Sequence, residues 1–170
     1  MFDKNFNIII GDRASYRTTF LIDLSRAIRT LDKKVLFLGG TEEFKDFANN
    51  SISRIFDLAF FYQDDIRLFH NIKEIVERDQ YAWIFIDDID YIPNRYINLL
   101  KDINVKKIGT CLAEGLPIMN DESNIYQIKT NYDDSQLSST TFLEIGQQKI
   151  DIKDIIKTIE RDQKLNTLLK

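Results

Sequence analysis

Cysteine is almost absent. Cys111 stands alone in 170 residues, which rules out an internal disulfide framework and a Cys-rich metal site and makes a reducing, cytoplasmic location the expectation. Histidine is as scarce: His70 has no second histidine and no cysteine nearby, so a metal-ligand role is disfavoured. Two prolines and six glycines leave no stretch that reads as a linker, and no internal repeat is visible; one domain over residues 1–170 is expected. No apolar run approaches the ~20 residues that span a bilayer. Met1 leads into Asp3, Lys4 and Asn5 rather than an apolar targeting segment, so neither secretion nor membrane insertion is expected. The net charge of −4 argues against a protein that is basic all over and coats nucleic acid, although a local basic face is not excluded.

The stretch Ile8 to Thr19 carries most of the information. An apolar run ends in Gly11-Asp12-Arg13-Ala14-Ser15-Tyr16-Arg17-Thr18-Thr19 and passes into an amphipathic segment. This is strand, tight loop and helix start at P-loop spacing. The pattern G-x-x-x-x-G-K-S/T wraps backbone N–H groups around the phosphates of a nucleotide, aims a lysine at them and places a hydroxyl on Mg²⁺. Gly11 and Thr18 fit this pattern, and Ser15 and Thr19 lie within its reach. Arg17 stands where lysine belongs and Tyr16 where the second glycine belongs. Tyrosine gives up the backbone freedom of glycine, and arginine replaces a compact ammonium with a planar fork. Asp12 adds a negative charge to a loop that would hold an anion. A weakened nucleotide site, a loop that keeps the fold without the ligand, and a chance similarity in a βα turn all remain open on these residues.

Around that loop the hydrophobic pattern predicts strands alternating with helices. Phe6 to Ile10 reads as a buried central strand, and Thr18 to Leu31 as a helix with Phe20, Leu21, Leu24, Ala27, Ile28 and Leu31 on one face. Val35 to Leu38 is a second buried strand, closed by Gly39-Gly40, with Thr41 capping a helix that opens with Glu42 and Glu43. Strand, helix and strand in that order form a βαβ unit, hence a parallel sheet. Arg54 to Leu58 reads as a short strand, and Phe60, Phe61 and Tyr62 as core or a contact patch. Helices are predicted over Asp64 to Asp79, Pro93 to Asp102 and from Ile152 onward; strands over Val105 to Leu112, Ile125 to Asn131 and Thr140 to Ile145.

Tyr81 to Asp88 is the second informative stretch: Trp83-Ile84-Phe85-Ile86 runs into Asp87 and Asp88. An apolar strand of this form delivers a carboxylate to the carboxyl edge of the sheet, where it can hold Mg²⁺ directly or through water. Asp87 is the metal-side candidate with Thr18, and Asp88 the candidate for polarising water. The alternative is that both aspartates merely end a strand and cap the next helix. Thr110 is polar in an otherwise buried strand, as a phosphate sensor or a simple backbone partner. Arg95, Lys101, Lys106 and Lys107 gather positive charge that would suit nucleic acid, an acidic partner or a solvated face.

Together, the segments Ile8 to Gly40, WIFIDD, IYQIKTN and TTFLEIG resemble the P-loop NTPases, within them the RecA/KaiC/DnaB-like group. The resemblance implies an α/β fold with a mainly parallel sheet flanked by helices, ATP and Mg²⁺ as ligands, and Glu42 or Glu43 as the match to the group's water-activating glutamate. The ParA/MinD group is similar over TTFLIDLSRAIRTLDKKVLFL, but its early signature lysine falls at Asp12. Thymidine kinases share a similar helix start, but their zinc cysteines have no counterpart. Members of the RecA-like group that lose the P-loop lysine and glycine often serve as non-hydrolysing subunits. Two functions follow as expectations. One is a nucleotide-binding protein with impaired ATP hydrolysis in a nucleic-acid-related assembly; the other is a catalytically inactive pseudo-ATPase that engages a protein partner or its own copies.

Overall fold

The computed structural model describes residues 2, 5–12, 16–29, 34–39, 57–60, 66–112, 124–133 and 138–168. Eight strands form one sheet: β1 (Phe6–Gly11), β2 (Lys34–Gly39), β3 (Asp57–Phe60), β4 (Tyr81–Asp87), β5 (Lys106–Leu112), β6 (Asn124–Asp133), β7 (Ser138–Ile145) and β8 (Gln148–Asp151). Their order is β3-β2-β4-β5-β1-β6-β7-β8. Neighbours from β3 through to β6 are parallel, while β7 runs antiparallel to β6 and β8 antiparallel to β7. The helices are α1 (Arg17–Arg29), α2 (Ile66–Asp79), α3 (Asn94–Lys101) and α4 (Ile152–Leu168), with a 3-10 turn over Ile89–Tyr91.

The near-continuous apolar strands follow from burial on both faces, which parallel sheets require. Side-chain alternation divides β1, β2, β4 and β5 between two cores. Ile9, Val35, Phe37, Trp83, Phe85 and Ile108 pack on one side with Phe20, Leu21, Leu24 and Ile28 of α1 and with Ile152 and Ile155 of α4. Ile8, Leu36, Leu38, Ile84 and Ile86 pack on the other with Ile72 and Val76 of α2 and with Tyr96, Ile97 and Leu100 of α3. Each fully buried side chain of this kind contributes roughly 1.5–3 kcal/mol of transfer free energy. Gly109 lets the 3-10 turn lie close on β5, since a Cβ there would stand 3.1 Å from Ile89 Cδ1.

The α/β fold with a mainly parallel, helix-flanked sheet is therefore as the sequence implies. Several bounds differ. The strand read over Arg54 to Leu58 is described from Asp57 and runs on through Phe60, residues 54–56 lying outside the described residues, and β8 adds a strand that the sequence reading did not name. The side chains of Phe60 and His70, and residues Phe61 and Tyr62, lie outside the described residues, as do Thr41, Glu42 and Glu43. Among the described residues no helix is long and apolar enough to cross a membrane.

At the amino edge of the sheet Lys107 departs from its expected place on a basic face. It is fully buried, and its ammonium donates to the carbonyls of Ile103 and of Val105, the latter at 2.7 Å. It thereby satisfies backbone acceptors in the turn that follows α3. Burial lowers its pKa from 10.5 to about 8, with Asp102 opposing that shift. The folded state therefore binds this proton less tightly than the unfolded chain, and stability rises with pH between about 8 and 10.5. The increment is at most ~3 kcal/mol. Cys111, pushed up from 9.0 to about 12 by burial, acts in the opposite sense between those values and so opposes Lys107 in the upper part of its range. Chemical denaturation at pH 7.5 and 9.5 is therefore expected to show Lys107→Met losing ground to wild type as pH rises; parallel pH profiles would remove Lys107 as the cause.

Candidate functional site

The carboxyl ends of β1, β4 and β5 meet the start of α1. Gly11 closes β1 in register with Leu112. Residues 13–15 lie outside the described residues, so Ser15 is not placed. Tyr16 precedes α1, and its carbonyl accepts from the Phe20 N–H at 2.9 Å. Its φ is 71°, inside the left-handed region that glycine occupies without cost. The loss of glycine has not removed that backbone conformation; tyrosine holds it at a cost of roughly 1–2 kcal/mol. The Tyr16 ring is 40% exposed, and its hydroxyl donates to Asp23 Oδ2 at 3.3 Å. Past it, the first amides of α1 have no intrahelical acceptors and carry the positive end of the helix dipole, a setting that favours an anion. Thr19 is exposed in this first turn.

Asp87 ends β4 with only 2% of its surface exposed. Thr18 Oγ1 donates to its Oδ2 at 2.8 Å, and Thr110 Oγ1 donates to its Oδ1 at 2.7 Å. Thr110 in turn accepts from the Asp88 N–H at 3.1 Å. Because β5 lies between β1 and β4, the bond from Thr18 to Asp87 spans an intervening strand, and Thr110 fills that strand's position. Burial raises the Asp87 pKa; the hydrogen bonds from Thr110 and Thr18 and the charge of Arg17 oppose it without cancelling it.

Arg17 Nη1 stands 3.4 Å from Asp88 Oδ1, with the two side chains 12% and 23% exposed. That separation is an ion pair rather than a hydrogen bond. Arg17 Nη1 is buried with no hydrogen-bond partner among the described residues. The guanidinium is thus held by charge while a donor remains for another acceptor. Asp88 has φ 50° and ψ 60° and makes no side-chain cap bond, and the N-cap of α3 is Pro93. Asp87 thus ends β4, and Asp88 stands at the N-cap of the 3-10 turn through its backbone carbonyl, which accepts from the Tyr91 N–H at 3.0 Å; their side chains are engaged elsewhere, one with two hydroxyls and the other facing a cation.

The structure brings Arg17, Thr18, Asp87 and Asp88 together and sets Gly11, Tyr16 and Thr19 around them. Thr110 is the member whose role the sequence left open, and a lone hydroxyl in a buried strand was its signal. Nothing in the sequence pointed to Asp23 as the partner of Tyr16. Cys111 is no nucleophile here, because burial first, then Asp90 and Asp88, push its thiol up to about 12. The basic patch is smaller than expected: Lys107 is buried, while Arg95 lies over the Tyr96 ring and Lys106 over the Trp83 ring. Among the described residues no group of three His, Cys, Asp or Glu side chains is placed to hold a metal. The oxygen donors of Thr18 and Asp87 suit Mg²⁺ brought in with phosphate oxygens, since this ion takes few protein ligands.

Two outcomes follow. The raised pKa of Asp87 means that the folded state gains from protonation. That contribution is present below the ordinary carboxylate value of 3.8 and is lost as pH rises through the folded value. Asp87→Asn is expected to melt at or above the wild-type temperature at neutral pH, with its advantage vanishing in acid; a mutant that melts below wild type at neutral pH contradicts this. Tyr16→Gly is expected to gain about 1 kcal/mol in urea denaturation through relief of the left-handed backbone. A loss of that size would mean that the Tyr16 side chain outweighs the strain.

No family model matches the chain, and no curated protein matches it. Among solved structures it is similar to the flagellar accessory protein FlaH from Methanocaldococcus jannaschii, at 13% identity and a TM-score of 0.53, over 84% of this chain and 78% of that one. It is similar also to a KaiC-like protein from the hyperthermophilic archaeon Pyrococcus horikoshii OT3, at 12% identity and a TM-score of 0.56, over 86% of this chain and 84% of that one. At such identities the likeness is one of fold, and the fold is that of the RecA/KaiC-like P-loop proteins.

Proposed function

We propose that residues 1–170 form one P-loop domain that binds ATP with Mg²⁺ and hydrolyses it weakly or not at all. The observation that carries this reading is the Thr18 hydroxyl seated on the buried Asp87 carboxylate, with the Arg17 guanidinium beside it. Thr18 and Asp87 would hold Mg²⁺, which when bound neutralises phosphate charge and polarises the phosphoryl group. Arg17 and the first amides of α1 bind the phosphates, and Thr18 and Thr19 sit at the helix start beneath them. Gly11, Ser15 and Tyr16 shape the loop.

Hydrolysis needs a group that orients water for in-line attack. Asp88 is the candidate within the described residues, and Glu42 and Glu43 lie outside them. Asp88 is paired with Arg17, so the cation that should meet the phosphate and the carboxylate that should meet water restrain each other. Slow turnover follows from that pairing. The same pair, with Tyr16 in place of glycine, also favours a second reading: a pseudo-ATPase that uses the fold as an interaction module. In either case we propose that the protein works in the cytoplasm with a protein partner or further copies of itself, as an accessory subunit. A nucleic-acid role rests on Arg95, Lys101 and Lys106 without Lys107.

Affinity for a non-hydrolysable ATP analogue separates these readings. Arg17→Ala is expected to abolish binding, and Asp88→Asn to tighten it about fivefold by releasing Arg17, the equivalent of ~1 kcal/mol. Asp88→Asn is also expected to remove any residual turnover. If Arg17→Ala binds as well as wild type, the phosphate site is not where we place it. A wild-type protein that binds no nucleotide yet captures a defined partner would establish the second reading.

A further inference from the structure

Thr110 has a place in the site but no part in the function proposed above. We infer that it is a positioning residue: its hydroxyl holds Asp87 with Oδ2 toward Thr18 and the metal side, and ties that carboxylate to the turn that sets Asp88 against Arg17. The inference rests on the metal and phosphate site proposed above.

The bonding of the hydroxyl is the first argument. Thr110 is fully buried, between Gly109 and Cys111 of β5. Valine has nearly the same shape and no polar group to bury, so the strand gains nothing from a hydroxyl that is not bonded. Here both of its capacities are used. Its one hydrogen goes to Asp87 Oδ1 at 2.7 Å, and its oxygen accepts the Asp88 N–H at 3.1 Å. With that hydrogen committed to a carboxylate, the hydroxyl has none to offer a phosphate. Thr110 therefore acts through Asp87 and Asp88 rather than on the nucleotide.

What those two bonds hold is the second argument. Thr18 Oγ1 donates to Asp87 Oδ2 at 2.8 Å, so the carboxylate oxygens are divided, Oδ1 to β5 and Oδ2 to α1. The terminal torsion of an aspartate is broad and easily turned, and a donor fixed on Oδ1 removes that freedom. Partners of this kind orient metal ligands, and losing one lowers metal affinity by roughly 10–100-fold. On the other side, Asp88 lies at φ 50° and ψ 60°, a left-handed conformation that persists only where the surroundings enforce it. Its carbonyl is held within the turn by the Tyr91 N–H and its carboxylate meets Arg17 at 3.4 Å, while its N–H is held by Thr110 from the neighbouring strand. Donor and acceptor run one way, from the Asp88 amide through the hydroxyl to the Asp87 carboxylate, so each bond polarises the next. One side chain thus links the metal-side carboxylate to the carboxylate that restrains the phosphate cation.

The test is calorimetric, on the full chain with a non-hydrolysable ATP analogue. In Mg²⁺ titrations at saturating analogue, Thr110→Val is expected to bind the metal about tenfold more weakly than wild type, and Thr110→Ser, which keeps the hydroxyl, to stay close to wild type. With the metal chelated, Asp88→Asn is expected to tighten the analogue about fivefold in the wild-type background and hardly at all in Thr110→Val, where Asp88 is no longer aimed at Arg17. Should Thr110→Val not fold, Thr110→Cys, whose thiol is a weak donor, carries the same expectations. Wild-type Mg²⁺ affinity in Thr110→Val, or an Asp88→Asn response that it leaves unchanged, overturns the role of Thr110 and leaves the site standing. A Thr110→Ser variant as weak as Thr110→Val also overturns it, since the methyl group and not the hydroxyl is then at work. Wild-type binding of the analogue that ignores Mg²⁺ overturns the metal site and this role together.

Discussion

The Asp87 carboxylate joins three elements of the sheet edge. It ends β4, accepts from Thr110 of β5 and accepts from Thr18 of α1, so the start of the helix is fixed against two strands. A carboxylate this deeply buried is costly unless its oxygens are satisfied, and here each has a hydroxyl donor. The energetic result is a restrained site rather than a stable one: burial still favours the protonated form. Groups held at an energetic disadvantage are common where a cation or ligand is to be received, and our account of Thr18 and Asp87 as the metal side depends on that tension.

The loop above this anchor departs from the P-loop pattern in ways that act on different properties. Tyr16 keeps the left-handed backbone at a cost in strain, so the path of the loop at that point survives the loss of glycine. Arg17 keeps the positive charge but directs it to Asp88. The first change bears on stability; the second, in the function we propose, bears on the balance between holding phosphate and activating water. Because a fold does not fix its chemistry, these two residues, rather than the sheet, decide what the domain can do.

The fold was legible because its signals are redundant. The Ile8 to Ile10 run, the 3.6-residue spacing of Phe20, Leu24 and Ile28 and the apolar run into Asp87 each point to strands and helices of a parallel sheet, and burial on both faces enforces them. The site was legible only as types at spacings. That Thr18 would reach Asp87 follows from the sheet order, which a single sequence does not contain. That Thr110 would bridge Asp87 and the Asp88 amide depends on β5 lying between β1 and β4. Lys107 was misread because a lysine next to Lys106 looks solvated; only the turn after α3 shows the carbonyls it serves. Ser15, Glu42 and Glu43 lie outside the described residues, and their parts in the account stand as proposals.

The central claim is that the altered loop still receives phosphate through Arg17, Thr18 and Asp87. Calorimetric titration of the wild-type protein with a non-hydrolysable ATP analogue, first with Mg²⁺ and then with the metal chelated, tests it most directly. The account predicts binding in the micromolar range that weakens at least tenfold on chelation. Binding indifferent to Mg²⁺, or no heat with ATP, ADP or GTP analogues alike, would contradict it.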